Sequence, residues 1–339
     1  MDANISPTIL DKSPLILEEL KRASSILLHC HPSPDPDSVG SALAMRFALE
    51  QMGKKVTVIS GDSAIPEVFM SFPGARDISS KSFVDVEQKD FDLFIALDSG
   101  ALTMVSRRGQ VKFLESMKVI IIDHHASNEE YGNINLVEKS YPSTTQILYD
   151  LFKMWDIKIT PEIAANLFIG TYTDTGGFKY KGTTDKTFLM AAELVKVVPN
   201  FPEIIFAIES CNTPGFIAFQ AMALNNIETF LGGSLALASV SNETLKSKKI
   251  SSEEMSSHFI SSMLRSVIGW DIDVALVEVE PNKVKASFRS RDNEKYDLTV
   301  LAGAFGGGGH KAAAGAVLDM SLAEAKEKIV SKTKELYNL

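Results

Sequence analysis

Aspartate and histidine recur in this chain directly after apolar runs. His31-Pro32-Ser33-Pro34-Asp35-Pro36-Asp37 follows Ile26–His29, and Asp98 follows Leu93–Leu97. Asp123-His124-His125 follows Val119–Ile122, and Asp174 stands in Tyr172-Thr173-Asp174-Thr175-Gly176-Gly177 after a predicted helix. Several carboxylates gathered in one cleft raise one another's pKa unless positive charge compensates them. These segments carry no Lys or Arg at the key positions, so divalent cations are the natural counter-charge. Carboxylate and imidazole donors without thiolates suit manganese or another first-row ion better than calcium, and argue against structural zinc. Asp35, Asp37, Asp98, Asp123 and Asp174 with the histidines supply donors enough for two ions, an arrangement that clamps a phosphoryl group during displacement. Taken singly each residue has an ordinary explanation, since an Asp after a strand commonly caps a helix or makes a turn. His29 and His258 read as structural. Two adjacent imidazoles after a buried strand have no evident packing role, and four of the six histidines (31, 124, 125 and 310) fall in motif segments.

Such residues need a frame. Ser13-Pro14 reads as a helix cap with Pro at the first helical position, opening a helix to about Arg22. Ile26–Leu28, Val56–Ile59, Leu93–Leu97 and Val119–Ile122 read as strands apolar on both faces, as parallel strands covered by helices must be. Ser38–Met52 has helical spacing with Gly53 as its C-terminal cap, and helices are expected over Ser143–Trp155, Pro161–Tyr172 and Asp185–Val198. The alternation predicts an α/β fold, a mainly parallel open sheet whose strand C-termini converge on one crevice. After Val198 come helical stretches near Phe201–Glu209 and Pro214–Ile227. Strands over Ser234–Ser239, Ile272–Val279 and Lys283–Arg289, a helix over Ser252–Ser266, a glycine run and an amphipathic helix follow. That half reads as a smaller α+β domain. The expected division is residues 1–195, a helical linker at 196–227, and residues 228–339, with the active-site cleft between the two domains. At 339 residues the chain exceeds the size at which one core keeps growing, which also favours two domains.

Composition narrows the class. With 45% hydrophobic and 23% charged residues, collagen-like, disordered and disulfide-scaffold classes are excluded. Cys30 and Cys211 form no CxxC pair. The longest purely aliphatic run, Val119–Ile122, falls far short of the roughly 20 apolar residues a membrane span needs. Met1-Asp2-Ala3-Asn4 lacks the basic start of a signal peptide, so a cytoplasmic protein with no membrane partner is expected. The net charge of −9 is the wrong sign for holding long nucleic acid through its phosphates, so any phosphate ligand is expected to be small.

The second half carries its own signal in Phe305-Gly306-Gly307-Gly308-Gly309-His310-Lys311. A glycine run lets backbone N–H groups approach an anion closely, and His310 and Lys311 add donors. Upstream, Ser287, Arg289 and Arg291 alternate along a predicted strand and would share one face. Arginine there suits bidentate phosphate recognition or stacking on a base. The ordinary alternative is a flexible loop beside a solvated, charged strand.

Together these motifs resemble the DHH phosphoesterases, in the branch with a glycine-rich, DHH-associated C-terminal domain of type 1. His31-x-x-Pro34-Asp35-x-Asp37-x-x-Gly40-Ser41 is similar to the first family motif and Asp98 to the second. Asp123-His124-His125 is similar to the naming motif, and Thr173-Asp174-Thr175-Gly176 to the fourth. Gly307-Gly308-Gly309-His310 with Arg289-Ser290 resembles the substrate-binding signature, and the likeness spans nearly the whole chain. The resemblance implies two manganese ions, one held by His31, Asp35 and Asp98 and the other by Asp37, Asp98, His124 and Asp174, with Asp98 bridging. It implies that Asp123 orients an imidazole, that His125 meets the scissile phosphate, and that a water activated by the two cations attacks phosphorus in line. Arg289, Gly307, Gly308, Gly309 and His310 would hold the distal phosphate or nucleotide. Pro36 stands where the family usually has a small residue, and Lys179 where arginine is more common. The implied activity is of the nanoRNase and pAp-phosphatase type: hydrolysis of short oligoribonucleotides or linear dinucleotides, and removal of the 3′-phosphate of adenosine 3′,5′-bisphosphate. Rival readings are a cyclic di-AMP phosphodiesterase, a polyphosphate or pyrophosphate hydrolase, and a metal-bound nucleotide sensor without turnover. A homodimer is compatible with the sequence but rests on no particular residue.

Overall fold

The computed structural model describes residues 5–198, 200–255 and 257–339. The readings of Met1–Asn4 and of the His258 side chain lie outside the described residues. The chain divides into two compact units, the first ending at Cys211 and the second running Asn212–Leu339.

In the first unit the elements are α1 (Pro7–Arg22), β1 (Ser25–His29), α2 (Pro36–Gln51), β2 (Lys55–Ile59), β3 (Leu93–Leu97), the short α3 (Leu102–Val105), β4 (Lys118–Asp123), β5 (Ile134–Val137), α4 (Thr144–Met154), α5 (Pro161–Asp174), α6 (Asp185–Val197) and α7 (Phe201–Glu209). The five strands form a wholly parallel sheet in the order β2-β1-β3-β4-β5. β1, β3 and β4 are buried on both faces, as their continuous apolar runs require. The two faces are covered differently. Ile26, Leu28, Ile95, Leu97, Ile120 and Ile122 pack into a helical core with α1, α2, α4 and α5. Leu27, Phe94, Ala96, Val119 and Ile121 meet Phe83, Val105, Val111 and Met117 instead, side chains from α3 and irregular connections. Long helices therefore cover one face, and only the short α3 and irregular connections the other, which narrows the expectation of helical cover on both faces.

Two boundaries also differ. α1 starts at Pro7, capped by Ser6, whose hydroxyl accepts from the Ile9 N–H, and Pro14 lies inside the helix. Ser13 faces the core and its hydroxyl accepts from the Trp155 indole. Burial of Ile9, Ile16 and Leu20 along one stripe outweighs the single backbone bond that Pro14 forfeits. α5 runs through Asp174 itself, so that residue closes the helix instead of following it.

The second unit contains α8 (Pro214–Asn225), β6 (Ile227–Phe230), β7 (Leu235–Val240), α9 (Asn242–Ser247), α10 (Ser257–Leu264), β8 (Ile272–Glu280), β9 (Lys283–Ser290), α11 (Leu298–Gly303), β10 (Gly308–His310), β11 (Ala313–Leu318) and α12 (Leu322–Tyr337). Its mixed six-stranded sheet has the order β10-β11-β9-β8-β7-β6, with β7 and β8 parallel and the other neighbours antiparallel. α11 and α12 cover one face around Val274, Leu276 and Phe288. α8 and α10 cover the other around Ala275 and Val277. Among the described residues, no helix is long and apolar enough to cross a membrane.

Candidate metal centre

The strand order of the first unit reverses between β1 and β3, and a crevice opens at the C-terminal ends of strands at such a switch point. Asp98 comes immediately after β3, with its backbone in the left-handed region at φ 53°. Aspartate enters that region at a modest cost, a kind of local strain that concentrates at functional sites. β4 ends in Asp123, and His124 and His125 follow.

α2 begins at the same end of the sheet. Asp35 is its N-cap, with Oδ1 accepting from the Ser38 N–H at 2.9 Å, and Pro36 takes the first helical position, where its fixed φ suits the helix. Asp37, fully buried, is held by the N-terminus of α4. Its Oδ2 accepts from the Thr144 N–H at 2.7 Å, and its Oδ1 from the Thr145 N–H at 3.1 Å and hydroxyl at 2.6 Å. The Thr144 hydroxyl donates to Asp98 Oδ1 at 3.1 Å. Room for Asp37 depends on Gly170 of α5, where a Cβ would lie 2.5 Å from Asp37 Oδ1 and 2.5 Å from Thr145. Gly40 of α2 similarly faces the Asn166 carbonyl, 2.6 Å from where its Cβ would be.

The imidazoles close the cluster. His31 turns Nδ1 toward the Pro32 carbonyl at 3.2 Å and places Nε2 3.6 Å from both Asp35 Oδ2 and Asp98 Oδ2. His124 Nε2 lies 3.5 Å from Asp98 Oδ1 and 3.2 Å from Asp174 Oδ2. Among the described residues, three sets of donor atoms, each within 4.8 Å of one another, result: His31, Asp35 and Asp98; Asp37, His124 and Asp174; and Asp98, Asp123, His124 and His125. Asp98 and His124 each belong to two sets. Asp123 is already occupied: Oδ1 accepts from the His124 N–H and meets His125 Nδ1, both at 2.8 Å, and Oδ2 accepts from Asn128 at 2.5 Å. His29 is fully buried, with Nε2 3.2 Å from both the Met104 carbonyl and the Ser99 hydroxyl, and burial lowers it to about 4.

Charge within the cluster is unbalanced unless cations or protons enter. Burial works against a charged His31, but Asp35 and Asp98 outweigh it and push the imidazole up to about 10. His124 is pushed up to about 10 in the same way, by Asp174, Asp37 and Asp98 against burial. Burial and then the carboxylates of Asp98 and Asp174 raise Asp37 well above the usual range. Asp174 is also raised, by burial first. Burial would raise Asp123 too, yet its bond to His125 holds it low. A divalent cation fits this chemistry: the donors are oxygen and imidazole nitrogen, and His124 Nε2 is buried without a hydrogen bond.

The second unit assembles a separate group. Opposite positions in an antiparallel pair project to the same face, so Asp273, Arg289, Ala313 and His310 make one row, and Ala275, Ser287, Gly315 and Gly308 the next. Ser257, Lys285, Ser287, Gly307 and Gly315 line a cavity of about 390 Å³ on this unit. Gly308–His310 of the glycine run form the edge strand β10, and Gly306 and Gly307 precede it. Gly307 packs so closely that a Cβ there would lie 2.1 Å from the Gly315 carbonyl oxygen. Arg291 lies past the end of β9, and its guanidinium donates to the Val267 carbonyl.

Comparison with known proteins follows this division. The family model described as the DHH family, N-terminal domain, matches residues 25–171, and the DHHA1 domain matches residues 239–338. The bifunctional oligoribonuclease and PAP phosphatase NrnA of Thermus thermophilus is 30% identical, covering 99% of this chain and 98% of that protein. The chain belongs to the DHH family. As a DHH protein it is a phosphoesterase, a hydrolase of phosphate esters. The probable bifunctional oligoribonuclease and PAP phosphatase NrnA of Streptococcus mutans is 29% identical over 95% of this chain and 97% of its own. The crystal structure of an exopolyphosphatase-related protein from Bacteroides fragilis, 24% identical, covers 100% of both chains at a TM-score of 0.87, and so shares the DHH fold seen here.

Within this DHH fold, His31, Asp35, Asp37, Asp98, Asp123, His124, His125 and Asp174 come together in the first unit, and Arg289, Gly308 and His310 share the β9–β10 face of the second. Thr144 and Thr145, which fix Asp37 and Asp98, are absent from the residues that the sequence singles out. Their signal is the hydroxyl triplet Ser143-Thr144-Thr145 opening a predicted helix, which reads equally well as an ordinary cap.

Proposed function

We propose that this phosphoesterase hydrolyses short oligoribonucleotides and linear dinucleotides, and removes the 3′-phosphate of adenosine 3′,5′-bisphosphate, with two manganese ions. The observation that carries the reading is the sharing of Asp98 and His124 between neighbouring donor sets. In this reading His31, Asp35 and Asp98 hold one ion, and Asp37, Asp98, His124 and Asp174 the other. Bound divalent cations would supply water activation and neutralise charge developing on the phosphoryl oxygens. The chain's own groups prepare that site. Thr144 and Thr145 fix the carboxylates of Asp37 and Asp98. Asp123 holds His125 at Nδ1 and leaves Nε2 to meet a phosphate oxygen. Arg289 and Gly307–His310 bind the nucleotide end, which limits substrate length. Residues 196–227 serve as the connection between the domains, and the reading includes a cytoplasmic location. Support for the substrate class comes from relatives named for oligoribonuclease and PAP phosphatase activity that align over nearly the full chain.

The test is a product time course with manganese, comparing linear pApA, a five-nucleotide RNA, adenosine 3′,5′-bisphosphate and cyclic di-AMP at equal concentration. Fast mononucleotide release from the linear substrates is expected. Preferential opening of cyclic di-AMP would replace this substrate class with cyclic dinucleotides, and absence of product at saturating manganese would favour a nucleotide sensor.

A further inference from the structure

Asp273 has no task in the reading above. It is fully buried near the start of β8, and neither carboxylate oxygen makes a hydrogen bond. Buried polar groups are almost always partnered, because leaving one unpaired is costly. On the same face β8 continues with Ala275 and Val277, packed against Ile260 and Leu264 of α10, so an apolar residue would be accommodated here without that cost. The missing partner is not a general property of this end of the sheet, since Asp271, two residues earlier, accepts from the Tyr296 hydroxyl at 3.2 Å.

Charged neighbours flank the carboxylate. Arg265 follows α10, Arg291 follows β9, and both attract the Asp273 charge, while Asp271 repels it. Arg289 stands directly opposite on β9, and the row continues through Ala313 to His310 of the glycine strand. A guanidinium carries five N–H donors, so a carboxylate can grip one edge while the other edge meets a phosphate. Arg289 donates from Nη1 to the Phe288 carbonyl at 2.9 Å, and its backbone is already in register with that of Asp273 across the two strands.

We propose that Asp273 is a positioning residue of the nucleotide subsite, holding the inner edge of Arg289 so that its outer edge is fixed for a phosphate oxygen of the substrate. This rests on the reading that Arg289 binds the nucleotide end. The experiment measures KM and kcat for linear pApA at pH 8 with manganese, together with thermal melting. It uses the full chain as wild type, Asp273→Asn, Arg289→Ala and the double variant. Asp273→Asn is expected to raise KM about tenfold, the scale of a lost charge-assisted bond, with kcat within about twofold. Its melting temperature should not fall, and the double variant should bind no worse than Arg289→Ala alone. A wild-type KM in Asp273→Asn beside a raised KM in Arg289→Ala overturns the positioning role and leaves the subsite reading standing. A wild-type KM in Arg289→Ala overturns the subsite reading, and the proposal with it. Effects that multiply in the double variant, or a joint fall of kcat and melting temperature in Asp273→Asn, also overturn the proposal.

Discussion

The two units treat buried charge in opposite ways. In the first, Asp37 accepts three hydrogen bonds from Thr144 and Thr145, and Asp123 is saturated by His124, His125 and Asn128. In the second, Asp273 is equally buried and has none, in the sheet whose edge strand β10 is exposed. A centre that must stabilise charge at the moment of reaction gains most when its groups are fixed beforehand. A subsite that must take and release a nucleotide gains from leaving bonds to be made when the ligand arrives. In the proposed function, the contrast separates a finished reaction centre from a binding face that its ligand completes.

The contrast can be broken most severely at Asp98. Asp98→Ala should lower kcat on pApA by more than about 10²-fold, and manganese titration should show the loss of more than one binding event. Near-normal turnover would sink the shared-carboxylate reading. Next in size is Gly170→Ala, which forces a methyl against Asp37 and Thr145. Overpacking of this kind costs about 1–3 kcal/mol, visible as a lower melting temperature, and activity should fall with it because Asp37 is displaced. An unchanged protein would mean that the seam has slack. Thr145→Val keeps the shape but removes the hydroxyl bond to Asp37, and should weaken apparent manganese affinity about 10-fold, as losing a ligand's supporting bond commonly does. Calorimetric titration reads this directly, and wild-type affinity would show that the backbone donors suffice.

The smallest effect concerns Asp273, whose carboxyl burial pushes up from 3.8 to about 7 against the pull of Arg265 and Arg291. Between those values the folded protein keeps a proton that the unfolded chain has lost. Stability from this group therefore falls as pH rises through that window and levels off above about pH 7. Asp273→Asn escapes the fall. Its melting temperature relative to wild type should thus climb between about pH 5 and about pH 8, and a pH-independent difference would contradict the burial of an ionisable carboxyl there.

Much of the centre is legible in the sequence because parallel strands announce themselves. β1, β3 and β4 are apolar on both faces, and the residue types after them are those of a metal site. Long-range support is not legible: nothing local in Ser143-Thr144-Thr145 tells that this helix start wraps the carboxylate of Asp37, more than a hundred residues away. The start of α1 is ambiguous in sequence because Ser6-Pro7 and Ser13-Pro14 are equally good caps, and only the buried stripe of the helix decides for the first. β5 is short, half-exposed and interrupted by Asn135, so it offers no apolar run to read. In the second unit the alternation of β9 is visible, yet the row joining Arg289 to His310 needs the register of β10 and β11, which tertiary pairing alone fixes.

The glycine seam between α2 and α5 has a mechanical side. At Gly40 the two helices meet backbone to backbone, and at Gly170 α5 leaves room only for the Asp37 carboxylate and the Thr145 side chain. Asp35 and Asp37 ride on α2 and Asp174 on α5, so these donors are coupled as parts of one stiff body. Asp98, His124 and His125 come instead from the segments after β3 and β4, so the centre joins donors carried by two closely packed helices to donors fixed at strand ends.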